Sequence, residues 1–227
     1  MHKSKEACVF AGPSLSGQAL PADITIFPPA TRGAVTAAIT SGYRRIGFID
    51  GAVEENERLP LRELREALAI PGITLFGAAS MGAVRAAQLT SAGMRGVGRV
   101  FRLFRRRQLT DADEVYVLYA PAGLRYRSLT LPLVNIRYTA RAMRRAGYVN
   151  RAEEQALVSY ACTVPWFDRD RASLSAGIYE ACGSLRCRRV THAFEQLYRD
   201  VKREDALSVV TALTAQSRPA HARRRVA

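Results

Sequence analysis

Ile73–Leu89 reads ITLFGAASMGAVRAAQL. Ile73 to Phe76 are apolar and partly β-branched, whereas Met81, Val84, Ala87 and Gln88 recur at helical spacing among alanines. The period changes from strand to helix across one short turn, which predicts a buried strand, a glycine-bounded elbow and a helix. Ser80 stands at the elbow. At a helix start the N–H groups of Met81, Gly82 and Ala83 lack intrahelical partners, and the positive end of the helix dipole lies behind them. Such a corner suits an anion or a developing oxyanion. Ser80 has two readings, a plain N-cap, for which serine is a preferred residue, and a reactive hydroxyl. Gly77, Ala78, Ala79, Gly82 and Ala83 favour the second, because small residues let a substrate approach the backbone, as at a strand-to-helix elbow that carries a nucleophile.

The segments before the elbow repeat its pattern. Residues 7–11 (ACVFA), 23–27 and 45–49 predict further strands, with helices over 31–41, capped by Thr31, and 59–69. Strands alternating with helices predict an α/β protein with a doubly wound, mostly parallel sheet, since parallel neighbours need crossover helices. Ligands collect at the carboxyl ends of such strands. That rule places the Gly12–Ser16 turn, Asp50 and Ser80 on one rim. Further on, a basic helix is predicted over 98–107, a strand over 114–120 (EVYVLYA), a helical face over 129–145, and helices from Arg151 to Thr214 broken near 163–166 and 182–185. The expected organisation is a core domain over 1–147, a helical extension over 148–216 and a basic disordered tail over 217–227.

A chain of 227 residues with 48% hydrophobic composition is long enough for one α/β core with added helices. No apolar run approaches a membrane span and the start MHKSKEACVF has no signal-peptide core, so a cytoplasmic address is expected. Cys8, Cys162, Cys182 and Cys187 have no metal-ligand spacing and are expected as free buried thiols; no metal and no cofactor are expected. The net charge is +14, and all but Lys3, Lys5 and Lys202 of the 34 basic residues are arginine. Arginine suits carboxylate, phosphate or an acidic protein surface. Arg102 and Arg105 to Arg107 alternate with Val100, Phe101, Leu103 and Phe104, the pattern of an amphipathic helix with a wet basic face, and no nucleic-acid-binding signature accompanies them. Nucleic acid is not the expected partner.

Seven stretches in order resemble TfuA-like proteins: VFAGPSLS (9–16), PPATRGA (28–34), IGFIDGAV (46–53), GAASMGAVRAAQL (77–89), GMRGVGRVF (93–101), DADEV (111–115) and VNIR (134–137). The resemblance implies a role beside a YcaO-type cyclodehydratase in installing thioamides on ribosomally made peptides. ATP chemistry then belongs to the partner, as this chain has no Walker-type loop. The implied activity is release of sulfide from a thiocarboxylated ubiquitin-like sulfur carrier, with the precursor peptide as a further partner. A noncatalytic module that docks on and activates the YcaO enzyme is the alternative.

For release, Ser80 is the expected nucleophile. The base is open among Asp50, Glu63, Asp113 and Glu114, because the histidines (His2, His192, His221) and lysines, Lys202 included, lie outside the resembling motifs. Arg32 and Arg85 are expected to grip the thiocarboxylate, with Arg137 as a third candidate. The same motifs supply Gly12, Ser14, Met81, Gly82, Asp113, Glu114 and Asn135 as further binding candidates. The chain departs from the family pattern at Ala34 and Ala112, where Asp is frequent, at Val53, where an aromatic is frequent, and at Leu61, near a frequent His.

Overall fold

A computed structural model describes residues 7–215; the tail expectation at 217–227 lies outside them. Five strands, β1 (Ala7–Phe10), β2 (Ile24–Phe27), β3 (Arg45–Phe48), β4 (Thr74–Gly77) and β5 (Arg95–Gly96), form an all-parallel sheet in the order β2-β1-β3-β4-β5. The α/β architecture is as expected. The fifth strand is not 114–120: those residues form no strand with the sheet, and Tyr119 makes only an isolated bridge to Ser128. Glu114 ends a 3-10 turn and Val115 follows it with αR backbone, while Val115, Val117 and Ala120 are buried, so the apolar run that suggested a strand is a segment packed on the protein and not paired in the sheet.

Helices α1 (Ala34–Thr40), α2 (Leu61–Ala69), α3 (Met81–Gln88) and α4 (Gly98–Arg105) pack with Cys8, Phe10, Ile46, Phe48 and Leu75 on one side of the sheet. Helices α5 (Leu133–Arg145), α6 (Arg151–Thr163), α7 (Arg171–Cys182) and α8 (Ser184–Gln196) carry a cluster of their own around Ile136, Met143, Leu157, Ile178 and Phe194. α9 (Val201–Ala215) returns to the sheet and sets Ala206, Val209, Val210 and Leu213 against Ala7, Val9, Ile24 and Phe76. A Cβ on Gly47 of β3 would stand 2.8 Å from Val209 Cγ1, which measures how closely α9 lies. The last of the described helices thus covers the second face of the sheet.

Local chemistry explains the elements near the rim. α1 starts at Gly33 (φ +83°) with no cap from its own side chains, so Thr31 is not the cap. Glu63 of α2 supplies one, its carboxylate accepting from the N–H groups of Gly33 (2.7 Å), Val35 (3.0 Å) and Thr36 (3.1 Å) and from Thr36 Oγ1 (3.3 Å). Glu63→Ala should cost about 1–2 kcal/mol, read as a lower denaturation midpoint in urea, by leaving those donors without the acceptor.

α3 lies so close to β3 that a Cβ on Gly82 would sit 1.8 Å from the Phe48 carbonyl oxygen. A clash with backbone cannot be relieved by a rotamer change. Gly82→Ala should therefore destabilise by about 3 kcal/mol in the same measurement.

Candidate active site at the carboxyl edge of the sheet

The order β2-β1-β3 makes the chain leave β1 toward one side and β3 toward the other, and in such sheets the crevice opens outside the carboxyl ends at that switch point. Gly12 and Ser14 follow β1 and Asp50 follows β3. Asp50, 2% exposed, accepts from Gly12 N and Ser14 N (2.9 Å each) at Oδ2 and from Ser14 Oγ (2.7 Å) at Oδ1. Both oxygens are engaged, and Asp50 makes no hydrogen bond with Ser80 among the described residues. Its structural work is to tie the β1 turn to β3.

The elbow after β4 is tight. Ser80 N donates to Ala78 O at 2.7 Å across Ala79, which has φ +63°. A three-residue turn of this hand is strained for a residue with a Cβ. Ser80 holds the N-cap position of α3, yet its side chain makes no cap hydrogen bond. Its hydroxyl instead donates to Val115 O at 3.4 Å, and Ser80 is 7% exposed.

The expected row of free N–H groups is reduced. Gly82 N donates to Ile49 O (3.0 Å) and Ala83 N to Ser80 O (2.9 Å), while the buried Met81 has no hydrogen bond to its N–H among the described residues. Gly82 is thus a close-packing position whose donor is taken, because β3 runs directly beneath the helix start.

The residue that sequence reasoning set aside is Lys202. From the first turn of α9 its ammonium donates to the same Val115 carbonyl oxygen at 2.6 Å. Lys202 is 3% exposed, and burial lowers its pKa from 10.5, with Asp50 and Asp200 opposing the shift. Ser80 Oγ and Lys202 Nζ therefore share one acceptor. Lysine and serine in such proximity form a known alternative to a serine-histidine pair. Composition held a faint signal, since Lys202 is the one lysine among the described residues of an arginine-rich chain.

A cleft of about 550 Å³ is lined by Ser14, Val117, Asn135, Tyr198, Asp200 and Lys202, among others, but not by Ser80. Asn135 positions this wall: its Nδ2 donates to Tyr198 Oη (2.9 Å) and Asp200 Oδ1 (3.0 Å), and its Oδ1 accepts from Lys202 N (3.4 Å).

The other acid candidates are held elsewhere. Glu114 makes a two-pronged ion pair with Arg137, Nη2 to Oε1 at 2.7 Å and Nε to both oxygens at 3.0 Å. That pair lines a second cleft of about 850 Å³ and removes Arg137 as a free grip. Asp113 pairs with the buried Arg169 at 2.6 Å. Neither acid bonds Ser80, because each is the counter-ion of an arginine from the helical part of the chain. Glu63 is at α1, as described above.

Arg32 is exposed and its Nε donates to Asn56 O at 3.4 Å. Arg85 is half-buried, with Nη1 donating to Gln88 Oε1 (2.9 Å) and Nη2 to Leu59 O (3.4 Å).

Of the cysteines, only Cys8 is buried, its thiol pushed up to about 12 by burial, while Cys162 is exposed, so the expectation of four buried thiols fails. Among the described residues no cluster of three or more His, Cys, Asp or Glu is placed to hold a metal, and no helix is long and apolar enough to cross a membrane.

Fold and rim define a parallel α/β protein with a strained serine elbow and a buried lysine beneath one extended segment. The chain belongs to the TfuA-like protein family, whose model matches residues 50–170, and that family is associated with YcaO-type thioamidation partners. No curated protein matches the chain. The matched stretch contains Asp50, Glu63, Ser80, Arg85, Asp113, Glu114, Asn135 and Arg137, and leaves out Gly12, Ser14, Arg32 and Lys202.

Proposed function

We propose that this protein supplies sulfide to a YcaO-type partner by hydrolysing a thiocarboxylated carrier chain end at Ser80, with Lys202 as base. The observation that carries the reading is the sharing of the Val115 carbonyl by the Ser80 hydroxyl and the Lys202 ammonium. A substrate carbonyl that replaces Val115 O would lie between a nucleophile and a proton carrier. Ser80 Oγ attacks the thiocarboxylate carbon while its proton passes to the neutral Lys202 amine. The C–S bond then breaks and the sulfur leaves as hydrosulfide, taking that proton. Water adds to the resulting ester, Lys202 accepts one of its protons and returns it to the Ser80 oxygen as the ester C–O bond breaks, and the freed acid gives its remaining proton to solvent and is left as a carboxylate. Sulfide is a better leaving group than an amine, so less acid assistance is needed. Burial lowers the lysine pKa in the direction that a base requires. The reading requires the segment around Val115 to lift from Ser80.

The 7% exposure of Ser80, and a cleft that stops at Lys202, favour the second reading, a module that docks on the YcaO enzyme and activates it. One experiment separates them. Incubating thiocarboxylated carrier with the purified protein and weighing the carrier by mass spectrometry should give a product lighter by the sulfur-for-oxygen difference. If the carrier mass is unchanged while the protein still accelerates thioamidation by its partner in externally supplied sulfide, the docking reading stands and the hydrolytic one falls.

A further inference from the structure

Ion pairs elsewhere in the described chain answer arginines at every depth: the buried Arg169 with Asp113, the half-buried Arg137 with Glu114 and Arg144 with Glu154, and the exposed Arg186 with Glu153. Arg58 and Arg85 break that pattern. Both are half-buried, and among the described residues neither has a carboxylate within ion-pair distance. Glu54 and Glu57, close in sequence, are exposed and pair with neither. Arg85 Nη2 reaches the carbonyl of Leu59, the residue after Arg58, while Arg58 Nη2 donates to Val53 O at 2.6 Å. The Nε atoms of both are buried without a hydrogen-bond partner. Backbone carbonyls thus satisfy hydrogen bonds of both guanidinium groups but not their charge, and the two groups are near enough for their charges to interact. The proximity costs energy: burial and then the Arg58 charge lower the Arg85 pKa. Like charges in a partly desolvated place are unfavourable unless something negative completes them.

We propose that Arg58 and Arg85 form a binding site for an oxyanion of the carboxylate or phosphate type. Arginine is the residue suited to it, since its planar fork takes two oxygens of one anion. Tyr116, whose ring lies edge-on to Trp166 at 5.8 Å, stands near enough to Arg85 for their charges to interact. Arg32 lies alongside through the Thr31–Arg58 bridge and its own N–H to Glu57 O, and it is exposed. Tyr116 directly follows Val115, so the site adjoins the segment over Ser80. The inference does not rest on hydrolysis at Ser80: it concerns binding alone.

The test is calorimetric titration of the intact protein with three probes: N-acetylated tetraglycine bearing a free carboxylate, its carboxamide twin, and inorganic phosphate. Carboxylate binding without carboxamide binding identifies a chain end as the ligand source, and phosphate binding alone identifies a free inorganic anion. Either supports the site, provided that Arg58→Met and Arg85→Met each weaken binding at least about 10-fold, the tenfold step being about 1.4 kcal/mol. Thermal unfolding of the variants checks that they are folded, and in anion-free buffer each should melt at or above the wild-type temperature, because one of two repelling charges has gone. Binding of neither anion, binding unaltered by both substitutions, or equal affinity for the carboxamide would overturn the proposal. Absence of sulfide release from a carrier would leave it standing.

Discussion

Ser80→Ala should fold like the wild type and release sulfide from a thiocarboxylated carrier on the order of 10⁴-fold more slowly or worse, the scale of loss when a nucleophile is removed from a cooperating set. The fold should tolerate the change, because the Ser80 side chain caps nothing and its one hydrogen bond, to Val115 O, is long at 3.4 Å. Such a bond contributes at most about 1 kcal/mol. The strain at Ala79 and the Ser80 N to Ala78 O contact belong to the backbone and remain. A sulfide-release assay at saturating carrier, paired with thermal unfolding, separates chemistry from folding. If Ser80→Ala retains a rate within a few-fold of wild type, Ser80 is not the nucleophile, and the cleft-lining Ser14 becomes the next hydroxyl to test.

The second large effect is expected at Lys202. Lys202→Met should lower the release rate about 10²–10⁴-fold, the contribution of a positioned general base. The same substitution should not destabilise the protein at neutral pH. It removes one charged hydrogen bond to Val115 O, about 1.5–3 kcal/mol, but also relieves the cost of a buried ammonium, which is several kcal/mol when imperfectly compensated.

The pH dependence fixes the sign. The folded-state pKa of Lys202 is below 10.5, so between the two values the unfolded chain holds more protons and wild-type stability rises with pH. Below the folded value the native state carries the whole penalty. The stability advantage of Lys202→Met should therefore be greatest below the folded pKa of Lys202 and shrink as the pH climbs toward 10.5. The release rate of the wild type should rise through the same lowered pKa, as the amine becomes neutral. A Lys202→Met protein that unfolds more easily at every pH while releasing sulfide normally would mean that the lysine is purely structural.

The legible part of the molecule was the part in which local chemistry and tertiary packing agree. The change of period at Ile73–Leu89, the strands starting near residues 7, 24 and 45, and Gly12, Asp50 and Ser80 at strand ends were readable, because parallel strands make short apolar runs, those of the sheet interior buried on both faces, that end in polar turns. The segment 114–120 misled, since its apolar residues pack against the protein without pairing in the sheet, and only pairing tells such a segment from a strand. β5, with only Arg95 and Gly96, is too short to carry a periodic signal.

The roles of the acids followed the same division. Glu63, Glu114 and Asp113 carry charges that are answered from remote positions: the start of α1, Arg137 and Arg169. Sequence could name them as candidates but not say which donors would reach them first.

By itself the sequence determined the alternation of strand and helix and the polar rim at the strand ends, because periodicity and turn chemistry act over a few neighbouring residues. Only the tertiary structure decided that α9 closes the second face and carries Lys202 to the carbonyl shared with Ser80, and that Arg58 and Arg85 lie together without an acid. Those contacts join residues far apart in the chain, and they are fixed by the packing of whole elements, which no local pattern encodes.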